Sequence, residues 1–509
     1  MAPNGPSAPP GSLHDAVALH KAGNLSGAEA IYTTILARHP NNADALYLLG
    51  TVRHQQGRQS DAKALLERAL ALKPNLGAAH NNLGKVYDAL GQWDAAVACF
   101  HAALKIDAND AEALCNLGIA EIWRANSTEA EAILRRSLAL NAKSPPTWSA
   151  LGYALYHQNR TDDAIAAWRT ALGFAPDFTE AHINLGTAQL SRMEFVSGWT
   201  EYAWRDRLPE SRIDKGRYPQ RRWRGEDPAG QGLLLVADQG LGDQILAAGV
   251  IPLLAARNIR LVIECEPRLV PLFARSFRAE VVPAVTPPQP ATQRADLMAR
   301  ADLFDAAATV IKSPLGFARH AGYLRPDPGR VAAFRRRLLG LADGRRIIGI
   351  SWASARLRLG AAKTSHLARD WADVLRAPDS FFVSLQYGAA DRDLAEAAAA
   401  GLSVYRLPDL DVTQDIDGLA AAIAALDLVV SVSNTTVHLA GALNVPTWTI
   451  VSAGPARLWY WFEDRSDSLW YPSMRLFRQA DYGRWAPVMT QVSQALRRLG
   501  PLPAGSRNA

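Results

Sequence analysis

A chain of 509 residues, 49% apolar and 20% charged, has room for two to four domains and material for more than one core. A net charge of +6 is weak over this length and does not point to nucleic acid as a partner, although nine lysines among the 55 basic residues leave 46 arginines. Three scattered cysteines (Cys99, Cys115, Cys265) form neither a metal-binding spacing nor a disulfide framework. No apolar run approaches the roughly 18–20 residues that span a membrane, and the opening MAPNGPSAPPGS lacks the apolar core of a signal peptide. Secreted, membrane-spanning and disulfide-rich classes are excluded, and a cytoplasmic protein with a short disordered tail over 1–11 is expected.

A repeat follows the tail. Leu-Gly recurs at 49–50, 83–84, 117–118, 151–152 and 185–186, always 34 residues apart. A large side chain keeps the same period at Tyr32, Leu66, Phe100, Leu134, Trp168 and Tyr202, with a small residue at Ala28, Ala62, Ala96, Ala130, Ala164 and Gly198. Pro40, Pro74 and Pro176 end three of the units, as a residue that cannot continue a helix should. The pattern resembles the tetratricopeptide repeat, and it predicts about six antiparallel helix pairs over 12–206, stacked into a superhelix with a concave face. Asn82, Asn116 and Asn184 share one column ahead of Leu-Gly. They read either as a ladder holding an extended peptide backbone, as in the O-GlcNAc transferases, or as ordinary occupants of that column.

The helical period stops near 209. An Arg-rich connector over 207–231 leads to short apolar runs at 232–238, 260–266, 279–284 and 304–310, and a helical link at 327–344 precedes runs at 345–352, 381–387, 402–407, 426–433 and 446–453. Apolar strands alternating with helices predict parallel sheets in two Rossmann-like lobes, over 232–326 and 345–503, with ligands beyond the carboxyl ends of the strands. The last helix, near 484–499, is expected to cross back to the first lobe.

Each lobe carries a strand–loop–helix signal. In the first, Gly240-Leu241-Gly242-Asp243 opens a helix, and Asp243 is either a helix cap or a carboxylate at the cleft mouth. In the second, Ser433-Asn434-Thr435-Thr436 runs into Val437-His438-Leu439-Ala440, a helix start suited to phosphate or to plain capping. His438 is either a ligand contact or a buried structural histidine. Lys363, after the first strand of the second lobe, is a compact charge for a phosphate or a solvated lysine. In Trp459-Tyr460-Trp461-Phe462 some rings must be core while others are free to stack on a sugar or base. A nicotinamide enzyme is excluded, because 240–245 lacks the third glycine of G-x-G-x-x-G.

Together with Tyr323-Leu-Arg-Pro-Asp-Pro and Trp470-Tyr-Pro-Ser-Met-Arg-Leu-Phe-Arg478, these motifs resemble the heptosyltransferase-like glycosyltransferases of the GT-B fold, and bacterial tetratricopeptide-repeat proteins that carry such a domain. The resemblance implies metal-independent transfer of a sugar from a nucleotide sugar to an acceptor hydroxyl, with inversion and no resident cofactor. It makes Asp243 the general base, keeps the loop open at Gly240 and Gly242, and sets Lys363, Ser433, Asn434, Thr435, Thr436 and His438 around the donor. The flagellin glycosyltransferases also join such repeats to a transferase, so a protein acceptor is the expectation. The family's Asp-Thr ahead of the His-Leu-Ala helix is replaced here by Ser433 with Asn434. This departure keeps a second reading open: a repeat-based scaffold with an inactive transferase domain.

Overall fold

The computed structural model describes residues 11–208, 216–228, 230–237, 239–317, 321–354, 363–388, 390–454 and 457–500. Residues 1–10 of the expected tail and 209–215 of the connector lie outside them. The chain forms two compact units, Met1–Phe178 and Thr179–Ala509.

The first unit is built of helices from Leu13–Lys21 to Thr161–Phe174. Side-chain caps recur where the period expects a helix to begin: Asn42, Asp110 and Ser144 each accept the amide three residues on. The Leu-Gly column also has a packing reason. A Cβ on Gly50 would lie 2.8 Å from Leu66 Cγ, one on Gly118 2.6 Å from Leu134 Cγ, and one on Gly152 2.6 Å from Trp168 Nε1. Each glycine is the socket for the large residue 16 positions later on the facing helix, and those knobs are fully buried.

Asn82 and Asn116 do not form a free ladder. The Asn82 amide donates to Thr51 Oγ1 at 2.9 Å and the Asn116 amide to Asn81 Oδ1 at 3.0 Å, so both tie a helix to the repeat before it. Asn184 lies in the second unit, on the half-buried side of the helix Thr179–Ser191.

The second unit begins with that helix and its partner Phe195–Tyr202, a pair that the period counts with the repeats. Trp199, on the second of them, packs edge-on against Trp459, and its indole donates to the Ile311 carbonyl at 2.9 Å. Behind it, Arg205 is buried and bonds Asp302 at 2.9 Å and Asp305 at 2.8 Å, while Arg222 pairs with Asp206 and Asp305. Burial outweighs Arg205 at Asp302 and lifts its carboxyl to about 6.

Two all-parallel sheets follow. The first runs in the order β1 (Arg221–Arg222), β5 (Leu297–Asp302), β2 (Gly232–Val236), β3 (Arg260–Cys265), β4 (Glu280–Pro283). The second runs β11 (Met474–Arg478), β10 (Thr447–Val451), β9 (Leu428–Val432), β6 (Arg346–Ser351), β7 (Ser380–Ser384), β8 (Tyr405–Arg406). The inner strands β2, β9 and β10 are buried at every position, as strands covered on both faces must be. The helix Pro328–Ala342 connects the sheets.

Two expectations are corrected, and one strand is added. The run 304–310 is not a strand but lies in the helix Leu303–Val310, and the strand beside it is β5, whose apolar run is broken by the buried Arg300. The edge strand β11 lies inside the Met-Arg-Leu-Phe-Arg motif. The final helix, Trp485–Arg498, does not return to the first lobe: Trp485, Val488, Met489 and Val492 pack with Trp352, Trp371 and Phe477 in the core of the second.

Gly152→Ala should lower the stability of the repeat unit by about 1–3 kcal/mol, since the Trp168 ring has no room to move. Gly173→Ala, at a helical glycine with open space around it, should raise stability slightly. Thermal melts of the two variants should therefore shift in opposite directions. Removing the guanidinium in Arg205→Met leaves the buried Asp302 carboxylate without its cation and Asp305 with Arg222 alone, and should cost about 3–5 kcal/mol in denaturant titrations.

Candidate functional site

The helix Leu241–Ala248 starts beyond the end of β2, with Gly240 as its N-cap and Asp243 in its first turn. The helix Thr435–Ala442 starts beyond the end of β9, with Asn434 as its N-cap. The two helices pack against each other, one from each lobe, and the contact passes through Gly242. A Cβ there would lie 3.1 Å from His438 Cδ2 and 3.4 Å from Thr435 Oγ1. Gly242 does not adopt a left-handed conformation and does not hold the loop open; its missing side chain lets the helices meet.

Around this crossing lies a cavity of about 410 Å³. The eight residues expected at the donor site and the expected base Asp243 all line it: Gly240, Gly242 and Asp243 from the first lobe, and Lys363, Ser433, Asn434, Thr435, Thr436 and His438 from the second. Their chemistry differs from residue to residue. The Ser433 hydroxyl accepts the Trp461 indole at 2.8 Å. The Asn434 amide donates to Ser351 Oγ at 2.8 Å and to the Ala353 carbonyl at 3.0 Å, and its oxygen accepts the Thr436 amide at 3.0 Å. These two side chains therefore help to hold β6, β9 and Trp461 together. The Thr436 hydroxyl, by contrast, is buried with no hydrogen-bond partner among the described residues.

Lys363 is buried, not solvated, and its charge is felt at His438. Burial first, and Lys363 second, push the His438 imidazole down to about 3, so it is neutral at ordinary pH. Its Nδ1 lies 3.1 Å from the Tyr471 hydroxyl, and its ring stacks on Trp461 at 5.4 Å and 6°. Asp243 is half-buried, and its charge helps hold the buried phenols of Tyr202 and Tyr471 above the ordinary tyrosine range, where burial is the main cause. Of the aromatic run, Tyr460 lines the cavity, whereas Trp459, Trp461 and Phe462 are core.

Composition and period did not single out Arg268, a cavity residue clamped by Glu266 at 2.8 Å, which donates to the Thr413 carbonyl at 2.8 Å and so bridges the lobes. Nor did they assign a role to Tyr323 and Tyr471, although both fall in motifs that carry the family resemblance. The Tyr323 hydroxyl donates to the Ile245 carbonyl at 2.6 Å, and its amide to the Ala442 carbonyl at 2.8 Å. No group of three or more His, Cys, Asp or Glu side chains among the described residues is arranged to hold a metal ion. No described helix is long and apolar enough to cross a membrane.

Residues 19–75, 53–117 and 149–195 match the tetratricopeptide repeat family, and the N-terminal part of the chain is built of these repeats. Protein FlbA of Caulobacter vibrioides (strain ATCC 19089 / CIP 103742 / CB 15) is 28% identical over 422 residues, which cover 73% of this chain and 70% of that protein. A match of this extent reaches into both units. Among solved structures, TTC0263, a thermophilic tetratricopeptide-repeat protein of Thermus thermophilus, is 24% identical over 35% of this chain and 97% of its own, with a TM-score of 0.32. YrrB, described as a repeat protein with an unusual peptide-binding site, is 22% identical over 33% of this chain and 87% of its own, with a TM-score of 0.29.

A histidine held neutral when folded, but free to take a proton from pH 6.5 downward once unfolded, favours the unfolded state as pH falls from 6.5 toward 3. The native protein should lose stability across that window. His438→Gln should flatten the slope, and the difference between the two melting-temperature profiles from pH 7 to pH 5 measures it.

Proposed function

We propose that the second unit is a metal-independent, inverting glycosyltransferase of the GT-B type, acting from a nucleotide sugar on an acceptor hydroxyl that a protein bound by the repeats presents. The observation that carries this reading is the convergence of Asp243, Lys363 and the start of the Thr435–Ala442 helix on one cavity, beyond the carboxyl ends of strands in two parallel sheets. The Asp243 carboxylate takes the acceptor proton as the hydroxyl oxygen attacks the anomeric carbon. The bond from that carbon to the diphosphate breaks, and charge builds on the leaving group. The buried Lys363 ammonium and the positive end of the helix dipole stabilise this charge.

The alternative, a scaffold with an inactive domain, draws support from Ser433 and Asn434, whose side chains serve the fold where the related enzymes carry an anion. The first test is thermal stabilisation by UDP, GDP, ADP and their glucose or mannose conjugates. A ligand held only by the folded protein raises stability by about 2.7 kcal/mol at a hundredfold excess over Kd. One nucleotide class should stabilise the protein, and Lys363→Ala should abolish the shift. Asp243→Asn should keep the shift and lose transfer to a protein acceptor by at least two orders of magnitude, consistent with the loss of a general base. No shift with any nucleotide would favour the scaffold.

A further inference from the structure

Arg478 is the last residue of β11 and does not line the cavity. Its guanidinium reaches back to the loop that follows β10 and meets main-chain oxygens there. Nε donates to the Arg465 carbonyl at 2.8 Å, and Nη2 donates to the carbonyls of Trp461 at 2.5 Å and Phe462 at 2.6 Å. These three bonds use every N–H on the two nitrogens.

The carbonyls of Trp461, Phe462 and Arg465 can point at one guanidinium only if the chain reverses between them. It does so at Phe462, with φ 48° and ψ 164°, and at Asp464, with φ 54°. A positive φ is uncommon for a residue with a side chain, and more so for Phe than for Asp. Such a turn persists only where its surroundings over-determine it. Here Arg478 holds it from β11, while the Ser191 carbonyl, at the end of the helix Thr179–Ser191, accepts the Glu463 amide at 2.8 Å. Glu463 is also paired with Arg457 on the near side of the loop.

The turn decides where the rings just before it stand. Trp461 lies parallel to His438 and gives its indole proton to Ser433, and Tyr460 meets Trp461 edge-on at 5.1 Å and His438 at 5.3 Å while lining the cavity. We propose that Arg478 is a positioning residue of the cavity: by gathering these three carbonyls it fixes the turn that sets Tyr460 against a bound ligand, and it acts through that ring without touching the ligand. A lysine cannot replace it, because one tetrahedral nitrogen does not present the planar fork that reaches all three oxygens. The turn follows from the hydrogen bonds and the backbone; that the ligand is a nucleotide sugar rests on the transferase reading.

Hydrogen–deuterium exchange of the full-length protein reads the turn without any ligand. In Arg478→Ala, peptides covering 457–466 should exchange faster than in the native protein, with the repeats unchanged. Millimolar guanidinium chloride, far below denaturing concentrations, should restore the protection, and sodium chloride at the same concentration should not. Arg478→Lys keeps the charge and tests the same point if Arg478→Ala does not fold; it too should lose the protection. Native exchange in either variant would overturn the proposal. Calorimetry with UDP, GDP, ADP and their glucose and mannose conjugates then reads the cavity. Arg478→Ala and Tyr460→Ala should each weaken the ligand that the native protein binds by about three- to tenfold, the worth of one aromatic contact. The double variant should be no weaker than Tyr460→Ala alone, and guanidinium should rescue Arg478→Ala but not the double variant. Losses that add would show that Arg478 does not act through Tyr460, against the proposal. If the native protein binds nothing in the panel, the transferase reading falls, while the exchange result still decides whether Arg478 sets the turn.

Discussion

The second unit depends on the meeting of two helix starts at Gly242. Two separate sheets, each covered by its own helices, have no reason to share a cavity unless something holds their carboxyl ends together. The missing side chain at Gly242 allows the Thr435–Ala442 helix to come within van der Waals contact of the Asp243 turn, and the cavity is the space left beside that contact. Tyr323 and Tyr471 secure the crossing from behind: Tyr323 donates its hydroxyl to the Ile245 carbonyl and its amide to the Ala442 carbonyl, and the Tyr471 hydroxyl lies 3.1 Å from His438 Nδ1, all in a buried setting where hydrogen bonds are strong and costly to break. Arg268 on Thr413, and Arg275 paired with Asp417 at 2.7 Å, hold the lobes together at other points.

The start of the unit is fixed by a different force. Arg205 carries a charge into the interior and meets Asp302 and Asp305 there, with Arg222 completing the balance. Such a network adds little net stability over an apolar core, but it tolerates no alternative partner, so it specifies one arrangement of the chain after Tyr202. Trp199, Tyr202, Phe304 and Trp459 pack on one another mostly edge to face, with Arg205 over the Tyr202 ring. The last helix pair of the repeat period thus becomes part of the core of the α/β unit, where Gly198 and Tyr202 keep the repeat's columns but pack in a different setting.

Legibility in the sequence followed how local each signal was. The 34-residue period was legible because the same knob and socket recur on neighbouring helices. The strands β2, β3, β6, β9 and β10 were legible because they are buried almost throughout and mostly apolar. The segment 304–310 was misread because seven residues with an apolar, Ala-rich run fit a strand or a helix equally well, and its neighbour β5 was missed because Arg300 and Asp302 interrupt it for the sake of partners far away in the chain. At the site, loop composition next to strands pointed to the eight donor-side residues and Asp243 that line one cavity, yet the hydrogen bonds of Ser433 and Asn434 turned on partners at Trp461 and Ser351 that no local pattern reveals.

The sequence by itself therefore determined the element types, the repeat, the two sheets and the set of residues near the strand ends, since these follow from period, burial pattern and turn chemistry within a few tens of residues. Only the tertiary structure decided how those residues are partnered, that Gly242 serves a helix crossing, and that burial and Lys363 hold His438 neutral beside the Tyr471 hydroxyl. Those properties belong to groups tens to hundreds of residues apart, and a proton has no fixed place on an imidazole until its neighbours are known.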